Sequence, residues 1–220
     1  MRSAIIFSCN EAYMPLAKGL VLSVLKTFPL RAGEPDPELH FIDLGISPES
    51  RGWLQQAGVS LTVFSREEYL TLPAPADLPA YTDAQLCRPF LPRIIPGYDS
   101  YIWIDADIWI QGRDTLRTYL DSLLAAGGNM VICPEFHYGY LPFRHLDSML
   151  NFLTHQLTVL YGEEAALQWR KRPILNSGFF ALSGSSGVWK EWADEMQFLF
   201  SRTGIPPQVK TESLNMLFTH

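Results

Sequence analysis

The chain alternates between short apolar runs and stretches in which apolar residues recur at helical spacing. The run at 3–7 predicts a buried strand, and Pro15 predicts the start of a helix whose apolar residues follow about one turn apart. Runs at 39–44 and 59–64 predict a second and a third strand, with a helix over 47–58 between them. Strands separated by helices predict an α/β domain with a largely parallel sheet covered on both faces.

The rest of the chain continues this alternation. Seven further elements are predicted: a Pro-rich loop (72–81), a helix broken by Pro89 and Pro92 (84–95), a buried strand (100–110), a short strand after a glycine turn (131–133), two amphipathic helices (145–161 and 188–200) and an apolar strand interrupted at 176–178 (174–183). A length of 220 residues favours one domain. We therefore expect a single three-layer α/β/α domain over 1–220.

Composition excludes several classes of protein. Apolar residues make up 47% of the chain and charged residues 18%, which is ordinary for a globular protein. The net charge is −6 and the basic residues are scattered, so the electrostatic footprint of a nucleic-acid-binding protein is missing. No stretch approaches the roughly 20 apolar residues of a membrane span. The short run after Met1 does not support a secretory signal, so we expect no transmembrane segment and a cytoplasmic location.

Two acids, Asp105 and Asp107, interrupt the predicted strand at 100–110. In extended backbone, residues two apart point to the same side, so two carboxylates would lie together and would need a compensating charge. A Mg²⁺ or Mn²⁺ ion completed by substrate phosphates supplies one. Alternatively, one acid caps a turn and the other pairs with an arginine such as Arg113. The position at the end of a strand, where open α/β sheets bind ligands, favours the metal.

Four blocks of sequence, in the same order and over nearly the whole chain, resemble family 8 glycosyltransferases of the GT-A fold. The central block is RPFLPRIIPGYD at 88–99 followed by YIWIDAD at 101–107, where an arginine-bearing helix leads into a strand with Asp-x-Asp. CNEAY at 9–13 resembles the first loop of the family, NSGFF at 176–180 its Asn-Ala-Gly segment, and ESLN at 212–215 a later block in which an acid precedes Leu-Asn.

The resemblance implies a retaining hexosyltransferase that uses a UDP-sugar donor, a Mn²⁺ or Mg²⁺ cofactor, and a saccharide, lipid or protein acceptor. Asp105 and Asp107 would hold the metal and act in catalysis, and Glu212 would face the reaction centre or the acceptor. The substrate-binding set would be Asn10 and Tyr13 near the nucleotide, with the Tyr13 ring stacked on the base, Arg88 near the donor sugar and the diphosphate, and Asn176, Ser177 and Gly178 near the sugar hydroxyls. Ala106, between the two acids, would also belong to this set.

These residues also have structural interpretations. Asn10 could occupy a turn and Tyr13 could be a packed aromatic residue. Arg88 could form a surface ion pair with Asp83 or Asp99, and 176–178 could be a β-bulge. Glu212 could be an ordinary acid in the first turn of a helix.

The chain departs from the family pattern in two places. Lys210 and Thr211 stand where Asp-Gln usually precedes Leu-Asn, and the chain reaches His220 without the block that supplies a histidine as third metal ligand. We expect either a domain that continues beyond His220 or a metal completed by water.

Other classes of protein fit less well or remain open. A phosphatase of the haloacid dehalogenase type carries Asp-x-Asp on its first strand, whereas three strands precede it here. A sugar nucleotidyltransferase needs a glycine-rich first loop, and 9–13 contains no glycine. A non-catalytic module that binds a nucleotide sugar or a glycan remains open.

Overall fold

The computed structural model describes residues 1–31, 33, 35–72, 78, 80–134, 146–172 and 175–202. Within these ranges six strands form one sheet, in the order β3-β2-β1-β4-β6-β5. Their bounds are β1 (Ser3–Cys9), β2 (Glu38–Asp43), β3 (Ser60–Val63), β4 (Ser100–Ile104), β5 (Val131–Pro134) and β6 (Leu175–Ser183). β1, β2, β3 and β4 are parallel, whereas β6 is antiparallel to both of its neighbours.

Helices connect the strands and cover both faces of the sheet. Their bounds are α1 (Met14–Leu25), α2 (Pro48–Gln56), α3 (Asp83–Leu86), α4 (Leu91–Ile94), α5 (Thr115–Ala125), α6 (Leu146–Tyr161), α7 (Glu163–Trp169) and α8 (Val188–Ser201). Short 3₁₀ turns lie at Glu11–Tyr13, Arg66–Glu68, Ala80–Thr82 and Arg88–Phe90. No helix in the described ranges is long and apolar enough to cross a membrane.

The core lies on both sides of the sheet because successive strand residues point to opposite faces. Phe7 packs with Leu20 of α1 in one cluster of buried residues. Ile6, the next residue in β1, belongs to a second cluster that contains Trp103, Phe180 and residues of α8. β1 and β4 are buried along their whole length. This arrangement confirms the predicted three-layer α/β/α fold with a mostly parallel sheet.

Most predicted elements are confirmed with small shifts in their ends. The strands at 39–44 and 59–64 are β2 and β3, and the helix at 188–200 is α8. Ser47 caps α2, since its hydroxyl accepts a hydrogen bond from the Ser50 N–H at 3.1 Å. The helix at 84–95 is broken as expected, into α3, a 3₁₀ turn and α4. α5 and α7 are additional helices.

The predicted strand at 100–110 is wrong beyond Ile104. The Asp105 N–H donates to the carbonyl of Gly178 at 2.7 Å, and the Ile108 N–H donates back to the carbonyl of Asp105 at 3.0 Å, so the chain turns. Of the apolar residues that follow, Trp109 is exposed and Ile110 is buried. Ile110 is held by a helix rather than by the sheet, because its N–H donates to the hydroxyl of Ser23 in α1 at 3.0 Å.

The expected interruption at 176–178 is also corrected. β6 is one strand from Leu175 to Ser183, and the irregularity lies in its pairing with β5. Ile132 pairs with Phe180 whereas Cys133 pairs with Asn176, so the register shifts by three residues of β6, which is more than the single extra residue of a common β-bulge.

Candidate functional site

A cavity of about 430 Å³ opens at the carboxyl ends of β1, β2 and β4. This is the edge of an open α/β sheet at which ligands usually bind. The cavity is lined by Ser8, Cys9, Asn10, Tyr13, Leu44, Tyr81, Ala84, Gln85, Arg88, Asp105, Ala106 and Asp107. Six of the residues proposed from the sequence therefore meet around one space: Asn10, Tyr13, Arg88, Asp105, Ala106 and Asp107.

Asp105 stands at the centre of a hydrogen-bonded cluster. Its Oδ1 accepts from Nη2 of Arg88 at 2.8 Å and from the indole Nε1 of Trp103 at 2.7 Å. The Arg88 guanidinium carbon also lies 4.8 Å from the centre of the Trp103 ring. Arg88 and Trp103 are buried, whereas the Asp105 side chain is 36% exposed. One end of this carboxylate is therefore fixed by the protein and the other remains accessible from the cavity.

Arg88 directs most of its donors into the protein. Nη1 donates to the carbonyl of Ser177 at 3.0 Å and to its hydroxyl at 2.9 Å, and Nε donates to the carbonyl of Ala84 at 3.0 Å. The alternative of a surface ion pair with Asp83 or Asp99 is wrong. Asp83 pairs with Arg66 at 2.8 Å, and the Asp99 carboxylate accepts from the backbone N–H of Arg2 at 2.7 Å.

Asp105 and Asp107 share the cavity for a reason that differs from the expected one. The chain turns at these residues, so strand alternation does not place the two carboxylates together. The arginine that pairs with Asp105 is Arg88 and not Arg113. Asp107 is exposed and lines the cavity, with the buried Ala106 between the two acids.

Asn176, Ser177 and Gly178 lie behind the acids, at the start of β6. Asn176 Oδ1 accepts from the Gly178 N–H at 2.9 Å, and Ser177 accepts from Arg88. A Cβ built on Gly178 would lie 2.7 Å from Oδ2 of Asp105, so the absence of a side chain here leaves room for the carboxylate. The pairing of this segment with β5 is irregular, and its three residues are not among those that line the cavity.

The loop after β1 forms the opposite wall of the cavity. The Glu11 carboxylate holds the loop against the start of α2, because it accepts from the Ser47 N–H at 2.7 Å and from the hydroxyls of Ser47 and Ser50 at 3.0 and 2.9 Å. The hydrogen bond from the Ser47 N–H lowers the pKa of Glu11. Tyr13 is 50% exposed, so the alternative of a packed aromatic residue is wrong.

Asn10 carries an unused acceptor beside this loop. Its Oδ1 is buried and accepts no hydrogen bond from any residue that the structure describes. An orphaned acceptor on a cavity wall is suited to a ligand N–H, because a buried carbonyl oxygen without a partner is costly.

The sequence interpretation missed one wall of the cavity. Tyr81, Ala84 and Gln85 line it together with Arg88. Their positions follow the i, i+3, i+4, i+7 spacing of one helical face, a signal that was available in the sequence. It was hidden because the segment combines a 3₁₀ turn, a four-residue helix and a second 3₁₀ turn.

The chemistry of the acids fits a divalent cation that a substrate helps to hold. No group of three or more His, Cys, Asp or Glu side chains in the described ranges could enclose a metal. Two carboxylates on a cavity suit Mg²⁺ or Mn²⁺, which keep water ligands and take the rest from phosphates. Glu212, Lys210 and Thr211 lie outside the described residues.

Comparison with known proteins places the fold. No protein-family model matches the chain, and no curated protein sequence matches it. Among solved structures, it is similar to the galactosyltransferase LgtC in complex with donor and acceptor sugar analogs, with a TM-score of 0.61 and 16% identity over 98% of this chain and 70% of that one.

Two further structures are similar. Mouse xyloside xylosyltransferase 1 matches with a TM-score of 0.55 and 13% identity over 97% of this chain and 81% of that one. Core-mannan synthase A from Aspergillus fumigatus, in its Mn/GDP form, matches with a TM-score of 0.53 and 11% identity over 98% and 69%. The chain therefore has the α/β fold of the GT-A glycosyltransferases.

Proposed function

We propose that this chain is a metal-dependent glycosyltransferase that moves a sugar from a UDP-sugar to an acceptor hydroxyl with retention of configuration. One observation carries the proposal. Asp105, whose Oδ1 is held by Arg88 and Trp103, lines a cavity of about 430 Å³ together with a second acid, Asp107. The cavity opens at the sheet edge where this fold class binds ligands.

Asp105 and Asp107 would hold Mn²⁺ or Mg²⁺ against the donor diphosphate. When bound, the cation stabilises the negative charge that develops on the leaving diphosphate. Arg88 keeps Asp105 in place, because four hydrogen bonds tie its guanidinium to Ala84, Ser177 and Asp105. In this proposal Arg88 orients Asp105, and any direct contact of Arg88 with the sugar is secondary.

The loop after β1 would bind the nucleotide. Tyr13 presents a half-exposed ring on which a base can stack, and the orphaned Oδ1 of Asn10 can accept from a base N–H. Asn176 and Ser177 would support the donor sugar side of the site, and Glu212 would face the acceptor.

The test is metal-dependent release of UDP from a panel of UDP-sugars. We expect turnover with Mn²⁺ and its loss in Asp107→Asn, while Asp194→Asn, which removes the charge of another exposed acid, on α8, keeps activity. UDP at about 100 times its Kd should stabilise the fold by roughly 2.7 kcal/mol, and only when the metal is present.

Two results would count against the proposal in different ways. Equal stabilisation by UDP with and without a chelator would show that no metal bridges the protein and the diphosphate. Tight metal-dependent UDP binding without turnover over the donor and acceptor panels would favour a non-catalytic nucleotide-sugar-binding module.

A further inference from the structure

Trp103 is placed in β4 so that its ring and the Asp105 carboxylate leave the chain on the same side, since they are two residues apart at the end of the strand. The ring is fully buried in the core between the sheet and α8. A buried indole N–H needs an acceptor, and here that acceptor is Oδ1 of Asp105 at 2.7 Å. The donor cannot move away, because the ring that carries it is packed on all sides.

Arg88 adds a second donor to the same oxygen. Its Nη2 lies 2.8 Å from Oδ1 of Asp105. A carboxylate oxygen has two lone pairs, so these two hydrogen bonds use the acceptor capacity of Oδ1. Oδ2 is different: no residue in the described ranges donates a hydrogen bond to it, and the neighbouring residue on that side is Gly178.

We propose that Trp103 is a positioning residue, whose indole N–H acts with Arg88 to occupy Oδ1 of Asp105 and leaves Oδ2 as the single oxygen that this acid offers to a cation. The inference rests on the proposed function, because it concerns the same site. It assigns to a core tryptophan a part in cation binding that its burial alone would not indicate. Residues that orient metal ligands typically contribute 10- to 100-fold to metal affinity.

A purely structural role is the competing explanation, and the chain offers a matched control for it. Trp189 is also buried, and its Nε1 donates to the carbonyl of Ser183 at 2.7 Å, near the other end of β6. Trp103→Phe and Trp189→Phe each remove an indole N–H and a similar volume from the core on the same face of the sheet. Loss of stability is expected in both, so stability does not separate the two explanations.

The measurement is Mn²⁺ affinity at saturating UDP, followed by the electron paramagnetic resonance signal of free Mn²⁺. We expect Trp103→Phe to weaken Mn²⁺ binding by about 10-fold or more, and Trp189→Phe to bind as the unchanged chain does. Equal Mn²⁺ affinity in all three proteins would overturn the positioning role. Failure of the unchanged chain to bind Mn²⁺ with UDP would instead overturn the proposed function.

A second replacement covers the case in which Trp103→Phe does not fold. Site-specific incorporation of benzothienylalanine at position 103 keeps the shape of the ring and puts sulfur in place of the N–H. We expect this protein to fold and to show the same weakened Mn²⁺ binding. Unchanged affinity in the folded benzothienylalanine protein would overturn the inference.

Discussion

Each end of the central sheet carries an arginine, a carboxylate and an aromatic hydrogen-bond donor, but the two sets are arranged differently. At the amino end, Arg2 Nε lies 2.9 Å from Oε1 of Glu38, and the Tyr98 hydroxyl donates to Oε2 of Glu38 at 2.7 Å. The Arg2 guanidinium lies 4.4 Å from the centre of the Tyr98 ring. At the carboxyl end, Arg88, Asp105 and Trp103 form the corresponding set of arginine, carboxylate and aromatic donor.

The difference lies in which oxygens remain free. Both oxygens of Glu38 are occupied, and its pair with Arg2 is about half exposed, with side-chain exposures of 48% and 56%. At Asp105 both donors converge on one oxygen, and Arg88 is only 5% exposed. An arginine, an acid and an aromatic ring therefore do not define a functional site by themselves. A free carboxylate oxygen that faces a cavity makes the difference.

The largest expected effect comes from removing each arginine in turn. Arg88→Ala removes the cation that pairs with Asp105 and the donor to the buried Ser177 carbonyl, and we expect the free energy of unfolding to fall by about 3 kcal/mol. Arg2→Ala should have little effect, because exposed ion pairs are screened by water. Chemical denaturation of both variants is the measurement. Equal losses would mean that the two ends are energetically alike.

Two glycines sharpen the contrast: Gly178, near the start of β6, and Gly184, the residue after its end. A Cβ on Gly184 would lie 2.3 Å from the backbone carbonyl oxygen of Tyr98, so Gly184→Ala should cost roughly 1 to 3 kcal/mol of stability and leave ligand binding intact. A Cβ on Gly178 would lie 2.7 Å from Oδ2 of Asp105, so Gly178→Ala should weaken Mn²⁺ binding with UDP by about tenfold. Thermal unfolding and Mn²⁺ titration separate the two effects. Intact Mn²⁺ binding in Gly178→Ala would contradict the proposed use of Oδ2.

An aromatic ring on the cavity should affect binding more than stability. Tyr13 is 50% exposed, so Tyr13→Ala should change the unfolding free energy little. Stacking of a base on an aromatic ring contributes about 1 to 3 kcal/mol, so the Kd for UDP should rise by about tenfold. Calorimetry measures it, with Phe198→Ala, which removes a ring of 49% exposure from α8, as the control. If Tyr81→Ala weakens binding and Tyr13→Ala does not, the base stacks on the other wall.

The smallest effect should appear as pH dependence at the amino end. His40 Nε2 lies 2.7 Å from the Tyr98 hydroxyl, and burial lowers the pKa of His40, although Glu38 nearby raises it and Arg2 lowers it further. Below about pH 6.5 the unfolded chain binds a proton at His40 that the folded chain does not, so stability should fall from pH 7.5 to 5.5. His40→Gln should flatten this slope in denaturation measured across that window. The same slope in both proteins would place its origin elsewhere.

The elements that could be predicted from the sequence are those in which burial produces a regular spacing of apolar residues. β2 and α8 follow their apolar patterns closely, and α5 carries one as well, at Leu116, Leu120 and Leu123. β3 lies within its predicted range, although none of its residues is buried. The end of β4 could not be found in this way. Apolar residues continue to Ile110, and their pattern does not say whether a sheet or a helix will cover them.

The candidate site could also be predicted only in part. Residue type and position along the chain indicated Asp105 and Asp107, and the family resemblance indicated Asn10 and Tyr13; all four line the cavity. The partners of Asp105 could not be predicted, because they depend on tertiary geometry. Arg88 and Ser177 are 89 residues apart in the chain and meet only because β6 enters the sheet beside β4 in the reverse direction.

β6, which runs antiparallel to β4, links the candidate site to the hydrophobic core. β6 pairs with β4 from Ile104 opposite Phe179 to Ser100 opposite Ser183. A slip of one residue would invert every side chain of β6, so that Ser177 would leave Arg88 and Phe180 would turn out of the interior. A one-residue insertion or deletion within 179–183 should therefore disturb the core and the site together, whereas the loops around the cavity, such as the one that bears Tyr81, can vary without changing this register.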